Sequence, residues 1–340
     1  MVDFKTFPKI DLHRHLEGSL RVETLREIAR QYAIPLPEGQ DLARLVQVQP
    51  DDPQTMANFL AKFQVLRQFY QSPEIIQRVA YEVIADAALD GLAYVEVMFN
   101  PAAHNRMRGY PLDEVMDWVI DSTLQASRDY NLGCRLIATI NRHEDPDVGA
   151  RVAELAASRL GKGIAAVNLA GNESEFPAAP FKQIFDEAHA RGLAVSIHAG
   201  EWYGAANVLE AIVDLHAARI SHGVRVLEDP AVVALARERQ ILFEVCISSN
   251  LQSGVAASIQ QHPLQNMLAA GLNVNLNTDD PSIEDVTLSD EYRLAHETLG
   301  LTLSTLSRMT LAAARAAFLP DAEKQTLLEN LTLRLAPFRL

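Results

Sequence analysis

Four short segments of this 340-residue chain carry side chains able to hold a metal ion. The first is Asp11-Leu12-His13-Arg14-His15-Leu16-Glu17-Gly18. Its histidines are two residues apart, so on an extended strand both imidazoles point to one face and Arg14 to the other. The others are Ile197-His198-Ala199-Gly200-Glu201, Ser221-His222-Gly223 and Asn277-Thr278-Asp279-Asp280-Pro281. Alone, a His-x-His pair suits a solvated or core pair as readily as a shared metal. Three imidazoles and a carboxylate brought together match the nitrogen and oxygen preference of zinc, with a bound water completing the sphere. The chemistry of such a set is hydrolysis.

For these residues to meet, the fold must deliver them to one place. Short apolar, β-branched runs at residues 9–12, 93–99, 135–140, 165–169, 194–198, 219–222, 242–247 and 273–277 read as strands. Amphipathic segments at 20–32, 73–89, 112–130, 146–160, 180–191, 206–215 and 230–239 read as helices. Pro73, Pro146 and Pro230 occupy the helix-start position that tolerates proline, and Ser19 is placed to cap the first helix. Eight βα units predict an α/β fold, a parallel (β/α)8 TIM barrel, with a doubly wound open sheet as the alternative. Residues 31–72 exceed the repeat and carry an inserted helix over 55–70; the tail after Asp285 reads as C-terminal helices. With no repeat, linker or low-complexity stretch, residues 1–340 read as one domain. In a barrel the C-terminal strand ends share one rim, where active sites are built. The expected ligands of a single Zn2+ are therefore His13, His15, His198 and Asp279.

Composition narrows the partner. Hydrophobic residues make up 48% of the chain and charged residues 22%, ordinary for a soluble globular protein. The formal net charge of −14 disfavours nucleic acid and anionic membrane. There is no GxxxxGK phosphate cradle, so a neutral or weakly charged small molecule is expected. No run approaches the ~20 apolar residues of a membrane span. The opening Met-Val-Asp-Phe-Lys lacks an apolar run of signal type. Cys134 and Cys246 lie unpaired in apolar strand-like runs and read as core thiols of a reducing compartment, with no thiolate at the rim. A cytoplasmic location follows; no feature assigns an oligomeric state.

Taken together, HRHLEG (13–18), NLAGNE (168–173), HAGE (198–201), SHGVR (221–225), CISSN (246–250) and NTDDP (277–281) resemble the adenosine deaminase family of the amidohydrolase superfamily, in order and over nearly the whole chain. The PCxxC signature of cytidine-deaminase-type zinc enzymes is absent. The resemblance implies hydrolytic deamination of a 6-aminopurine by zinc-activated water. Glu201 would protonate the ring nitrogen beside the attacked carbon. His222 would orient the water and stabilise or accept charge. Asp280 would hydrogen-bond the imidazole part of the purine, and the Gly171 N–H another ring nitrogen. Residue chemistry alone also allows a surface carboxylate at 201, a helix-capping carboxylate at 280 and a turn glycine at 171. In the family the stretch Phe59-Leu60-Ala61-Lys62-Phe63 roofs the pocket, which would make the insertion a helical lid. Phe59 and Phe63, as i,i+4 neighbours, are spaced for plain core packing as well. His15 and Glu17 would join Phe59, Leu60, Phe63, Gly171 and Asp280 around the substrate. Many related hydrolases bridge two ions with a lysine at the end of a mid-barrel strand; here that end reads Asn168-Leu169-Ala170-Gly171, so one zinc ion per chain is implied.

Three positions depart from the family pattern. Glu17 stands where adenosine-specific members typically place an aspartate that contacts the 5′ end of the sugar, and Asn168 and Asn172 replace common aspartates. These changes could admit a modified 5′ substituent. Adenosine is the expected substrate, with adenine, 5′-methylthioadenosine and aminodeoxyfutalosine as alternatives. A nucleotide is not expected, because no basic phosphate site is visible. The rival of another class is a non-catalytic binding protein on the same barrel. His104, His143, His189, His216, His262 and His296 have no partners at metal spacing and are expected in surface or capping roles.

Overall fold

The computed structural model describes residues 2–36 and 41–338. Eight strands follow one another around the sheet: β1 (Lys9–His15), β2 (Leu92–Phe99), β3 (Gly133–Asn141), β4 (Ile164–Ala170), β5 (Ala194–His198), β6 (Arg219–Ser221), β7 (Leu242–Val245) and β8 (Asn273–Leu276). Each pairs in parallel with the next. A doubly wound sheet would reverse its strand order at a switch point. This order never reverses, and Asp279, just beyond β8, bridges in parallel to Arg14 of β1. The chain is a nearly closed (β/α)8 barrel.

All eight expected strands form, with two notable changes of extent. β1 continues past Leu12 to His15, because Arg14 and His15 pair with Val97 and Met98 on one side and Asp279 takes the other. β7 stops at Val245, and Ile247 opens the helix Ile247–Gln252. The buried Glu291 carboxylate accepts the N–H groups of Ile247 (2.7 Å) and Ser248 (3.1 Å) there, which satisfies a helix start rather than a strand end.

The helices between strands carry the expected start signals. Helix Pro73–Leu89 follows Ser72, whose hydroxyl accepts from the Ile75 N–H; such a cap contributes about 1 kcal/mol. Asp145 and Asp229 cap the helices that begin at Pro146 and Pro230. Ser19 does not cap the first helix. That helix runs Val22–Gln31 behind Arg21, and the Ser19 hydroxyl donates instead to the His15 carbonyl at the end of β1 (2.5 Å). The insertion forms helix Met56–Leu66, anchored by Lys62, whose ammonium donates to Asp52 (2.8 Å). Helix Leu303–Ala316 packs on β8 and β1, and Asp321–Leu335 packs on that helix. Inside the barrel, the fully buried Arg219 bonds Glu96 and approaches Glu244, each at 2.6 Å, with its guanidinium over the Phe318 ring. No helix among the described residues is long and apolar enough to cross a membrane.

Candidate active site

Alternation along β1 turns His13 and His15 to one face, with their Nε2 atoms 3.2 Å apart. At the end of β5, His198 brings its Nε2 to 3.2 Å from that of His15. Asp279 Oδ1 lies 3.0 Å from His13 Nε2 and 3.4 Å from His15 Nε2. One donor atom from each of the four residues lies within 4.8 Å of all the others. Ligands ~2.0–2.1 Å from a tetrahedral zinc stand about 3.3–3.4 Å apart, so these separations suit a single ion.

The proton arrangement suits it as well. Asn168 Nδ2 donates to the Ser196 carbonyl (3.0 Å), which turns its Oδ1 toward His198 Nδ1 (3.1 Å). His198 therefore donates from Nδ1 and points the lone pair of Nε2 into the cluster, as a metal-ligating imidazole does. Burial and the neighbouring His13 and His15 hold the His198 pKa well below its ordinary value, and burial brings His15 down to about 4. Burial opposes a charge on His13, but Asp279 beside it raises its pKa; a cation would take the place of that proton.

A second set of groups stands beside the cluster. Gly200 turns the chain at φ +70°, where a Cβ would meet Val208 at 2.5 Å. The turn is held by Glu173. Its Oε1 accepts the N–H groups of Glu201 (2.7 Å), Trp202 (2.8 Å) and Tyr203 (3.0 Å), and its Oε2 those of Gly200 and the Asn207 amide, both at 2.9 Å. Burial, then the charges of Asp279 and Glu173, raises the Glu201 pKa well above the carboxylate range, which favours its protonated form. His222 Nε2 lies 3.7 Å from Glu201 Oε2 and 3.6 Å from Asp279 Oδ2. His222 and Asp279 both hold positive φ, +59° and +69°, a conformation that costs of order 1 kcal/mol without a glycine and clusters at functional sites.

These residues open on one cavity of about 420 Å³. Phe59, Leu60 and Phe63 of the inserted helix form one wall, with the Phe rings 6.3 Å apart. Glu17, Gly171 and Asp280 line the rest, and His15, His198, Glu201, His222 and Asp279 lie at the end beside the donor cluster. His13 is fully buried. Asp280 precedes helix Pro281–Glu284 but makes no side-chain cap bond, and its Oδ1 is buried without a partner. Burial, with Asp279, Glu17 and Glu201 nearby, pushes its carboxyl well above the ordinary range. Gly18 makes room for it, since a Cβ there would overlap Asp280 Oδ1. Glu17 accepts the Asn100 N–H (2.6 Å), and burial raises its pKa to about 7. The residues expected at the site all line this cavity except His13, which lies buried beside it.

A model of the family described as adenosine deaminase matches residues 8–333. The chain belongs to the adenosine deaminase family. It is 37% identical over 333 residues to a protein named adenosine deaminase from Klebsiella pneumoniae (strain 342), covering 97% of this chain and 99% of that one. Among solved structures it resembles an adenine deaminase from Arthrobacter aurescens, with a TM-score of 0.87, 28% identity, and 96% and 98% of the two chains covered. It also resembles an amidohydrolase from Burkholderia ambifaria with bound Zn, with a TM-score of 0.87, 26% identity, and 98% and 94% covered. The family is one of metal-dependent deaminases, and this chain has a His/Asp cluster that could hold the metal.

Several positions differ from the sequence reading. Asn168 is fully buried against His198 and does not line the cavity, so its change from aspartate bears on the donor cluster rather than on the cavity wall. Asn172 does line it. The Cys246 sulfur comes into reach of His222 and Asp279, although burial keeps its pKa well above the thiol range. His104 and His262 are buried rather than exposed, and His143 lines the cavity. Sequence reasoning missed Glu173, Ser249, Asn250 and His262 as parts of the site. Ser249 donates to Asp279 Oδ2 (2.7 Å). The signal for Glu173, Ser249 and Asn250 was their place inside the family motifs; His262 had none.

Proposed function

We propose that the chain hydrolyses the 6-amino group of adenosine, giving inosine and ammonia, with one zinc ion held by His13, His15, His198 and Asp279. The observation that carries this reading is the meeting, beside one cavity, of a four-donor cluster and the buried Glu201, whose burial raises its pKa. The named relative at 37% identity supports adenosine as the substrate. When bound, zinc supplies a water activated near neutral pH.

The chain's own residues do the rest. Glu201 delivers its proton to the ring nitrogen beside the attacked carbon, which relieves the charge that addition to the purine creates. His222, within 4 Å of both Glu201 and Asp279, orients the attacking oxygen. Asp280, with a free buried oxygen, bonds the imidazole part of the purine, and Gly171 contacts another ring nitrogen. Phe59, Leu60 and Phe63 keep bulk water from the ring, while Glu17 faces the sugar end. Residues 1–340 act as one catalytic domain. Two buried free cysteines suit a reducing cytoplasm.

Adenine is the second reading, favoured by the likeness to an adenine deaminase. Ammonia release from adenosine, adenine, 5′-methylthioadenosine and aminodeoxyfutalosine separates these readings. Adenosine is expected to turn over fastest. Adenine turnover alone selects the second reading, and silence across the panel rejects the deaminase.

A further inference from the structure

Behind His222 runs a chain of hydrogen bonds whose direction is set at its far end. The Leu264 backbone N–H donates to His262 Nδ1 (3.2 Å). A backbone N–H can only donate, so His262 Nδ1 is an acceptor. His262 is buried, and burial lowers its pKa to about 4, so the ring is neutral and its one proton sits on Nε2. That nitrogen is 3.2 Å from the Asn250 side chain, which must present its oxygen. The Asn250 amide nitrogen then faces His222 Nδ1 at 3.3 Å and donates to it. Asn250 is fully buried, and His222 nearly so, so each must satisfy its polar atoms away from bulk solvent. Reversing either side chain would set two N–H groups against each other.

We propose that Asn250 and His262 are positioning residues that hold His222 as the tautomer protonated on Nε2. The nitrogen facing Glu201 and Asp279 is then a hydrogen-bond donor. His222 acts by donating to the reacting oxygen, not by accepting a proton from it. The relay spans three parts of the fold: the end of β6, helix Ile247–Gln252 and the turn before helix Leu264–Ala269. Its effect on rate rests on His222 belonging to the deaminase site; the tautomer itself does not.

The test uses zinc-loaded protein labelled with 15N-histidine. Long-range 1H–15N spectra report which ring nitrogen carries the proton, with the His222 signals assigned by their loss in His222→Gln. The wild type is expected to show Nε2–H at His222. Asn250→Asp replaces the donor with an acceptor, so the proton should move to Nδ1. Adenosine kcat should then fall on the order of 10²-fold or more, with zinc content and KM little changed. His262→Gln keeps an N–H toward Asn250 and should preserve the tautomer and kcat, whereas His262→Leu should lose both. This pair decides the matter if Asn250→Asp does not fold. Nδ1–H in the wild type, or wild-type tautomer and kcat in His262→Leu, overturns the proposal. If no 6-aminopurine is deaminated, the spectra still decide the relay, and only the proposed function fails.

Discussion

Asp279 is joined to His13 twice. Its backbone N–H donates to the His13 carbonyl (2.9 Å), and its Oδ1 lies 3.0 Å from His13 Nε2. The Asp279 carbonyl accepts the His15 N–H as well (2.8 Å). The first contact helps close the barrel between β8 and β1; the second builds the donor cluster. The join that completes the fold also sets the spacing of three of the four donors. It explains why Asp279 is held at φ +69°, since its backbone must pair outward while its side chain turns inward.

Asp279→Ala should leave the backbone pairing in place and remove the carboxylate. Zinc content, measured by elemental analysis of purified protein, is expected to fall below one ion per chain. Full occupancy would remove Asp279 from the proposed ligand set.

Asn168→Ala takes away the acceptor that orients His198. Loss of such an outer partner typically weakens metal binding by about 10–100-fold, which a chelator competition would read. Asn168→Asp restores the acceptor and should bind zinc as the wild type does. Equal affinities for all three proteins would show that His198 needs no such support.

Glu201→Gln should keep zinc and fold but lose turnover, by on the order of 10²–10⁴-fold in kcat, because only the proton donor is removed. Near-normal rates in this variant would assign the proton to another group.

Glu173→Gln bears on the pH profile. Burial is the main cause of the raised Glu201 pKa, followed by Asp279 and then Glu173. Removing the Glu173 charge makes ionisation of Glu201 easier and lowers its pKa. The acid form is the active one in the proposed reaction, so activity should disappear at a lower pH than in the wild type. The alkaline limb of kcat against pH is therefore expected to move acidward, and kcat to drop as the five-donor clamp loosens. A limb that stays put would mean that Glu173 acts only on the backbone.

Much of this is legible in the sequence. The His13–His15 spacing is a statement about a strand, and strand alternation is local. The eight apolar runs and the proline-started helices are local too, and together they implied the barrel. The barrel rule then placed His198, His222 and Asp279 on one rim although they come from three different strand ends. The expectation fails at Ser19 because a carbonyl four residues back competes for its hydroxyl, and at Ile247 because its partner lies 44 residues further along the chain. Ser19 is drawn to the β1 carbonyl, and Ile247 to Glu291.

The sequence by itself determined the types of donor, their order along the chain and the family to which they belong. Only the tertiary structure decided which side chains face each ring nitrogen of His198, His222 and His262. It also showed that Asn168 serves His198 and that Asn250 and His262 stand behind His222. The reason is physical. Periodicity survives in the residue pattern, but a hydrogen bond depends on placing two atoms within about 3 Å of each other. That placement is set by strand register, by barrel closure at Asp279 and by turns such as the one before Leu264, none of which is local to the histidines they serve.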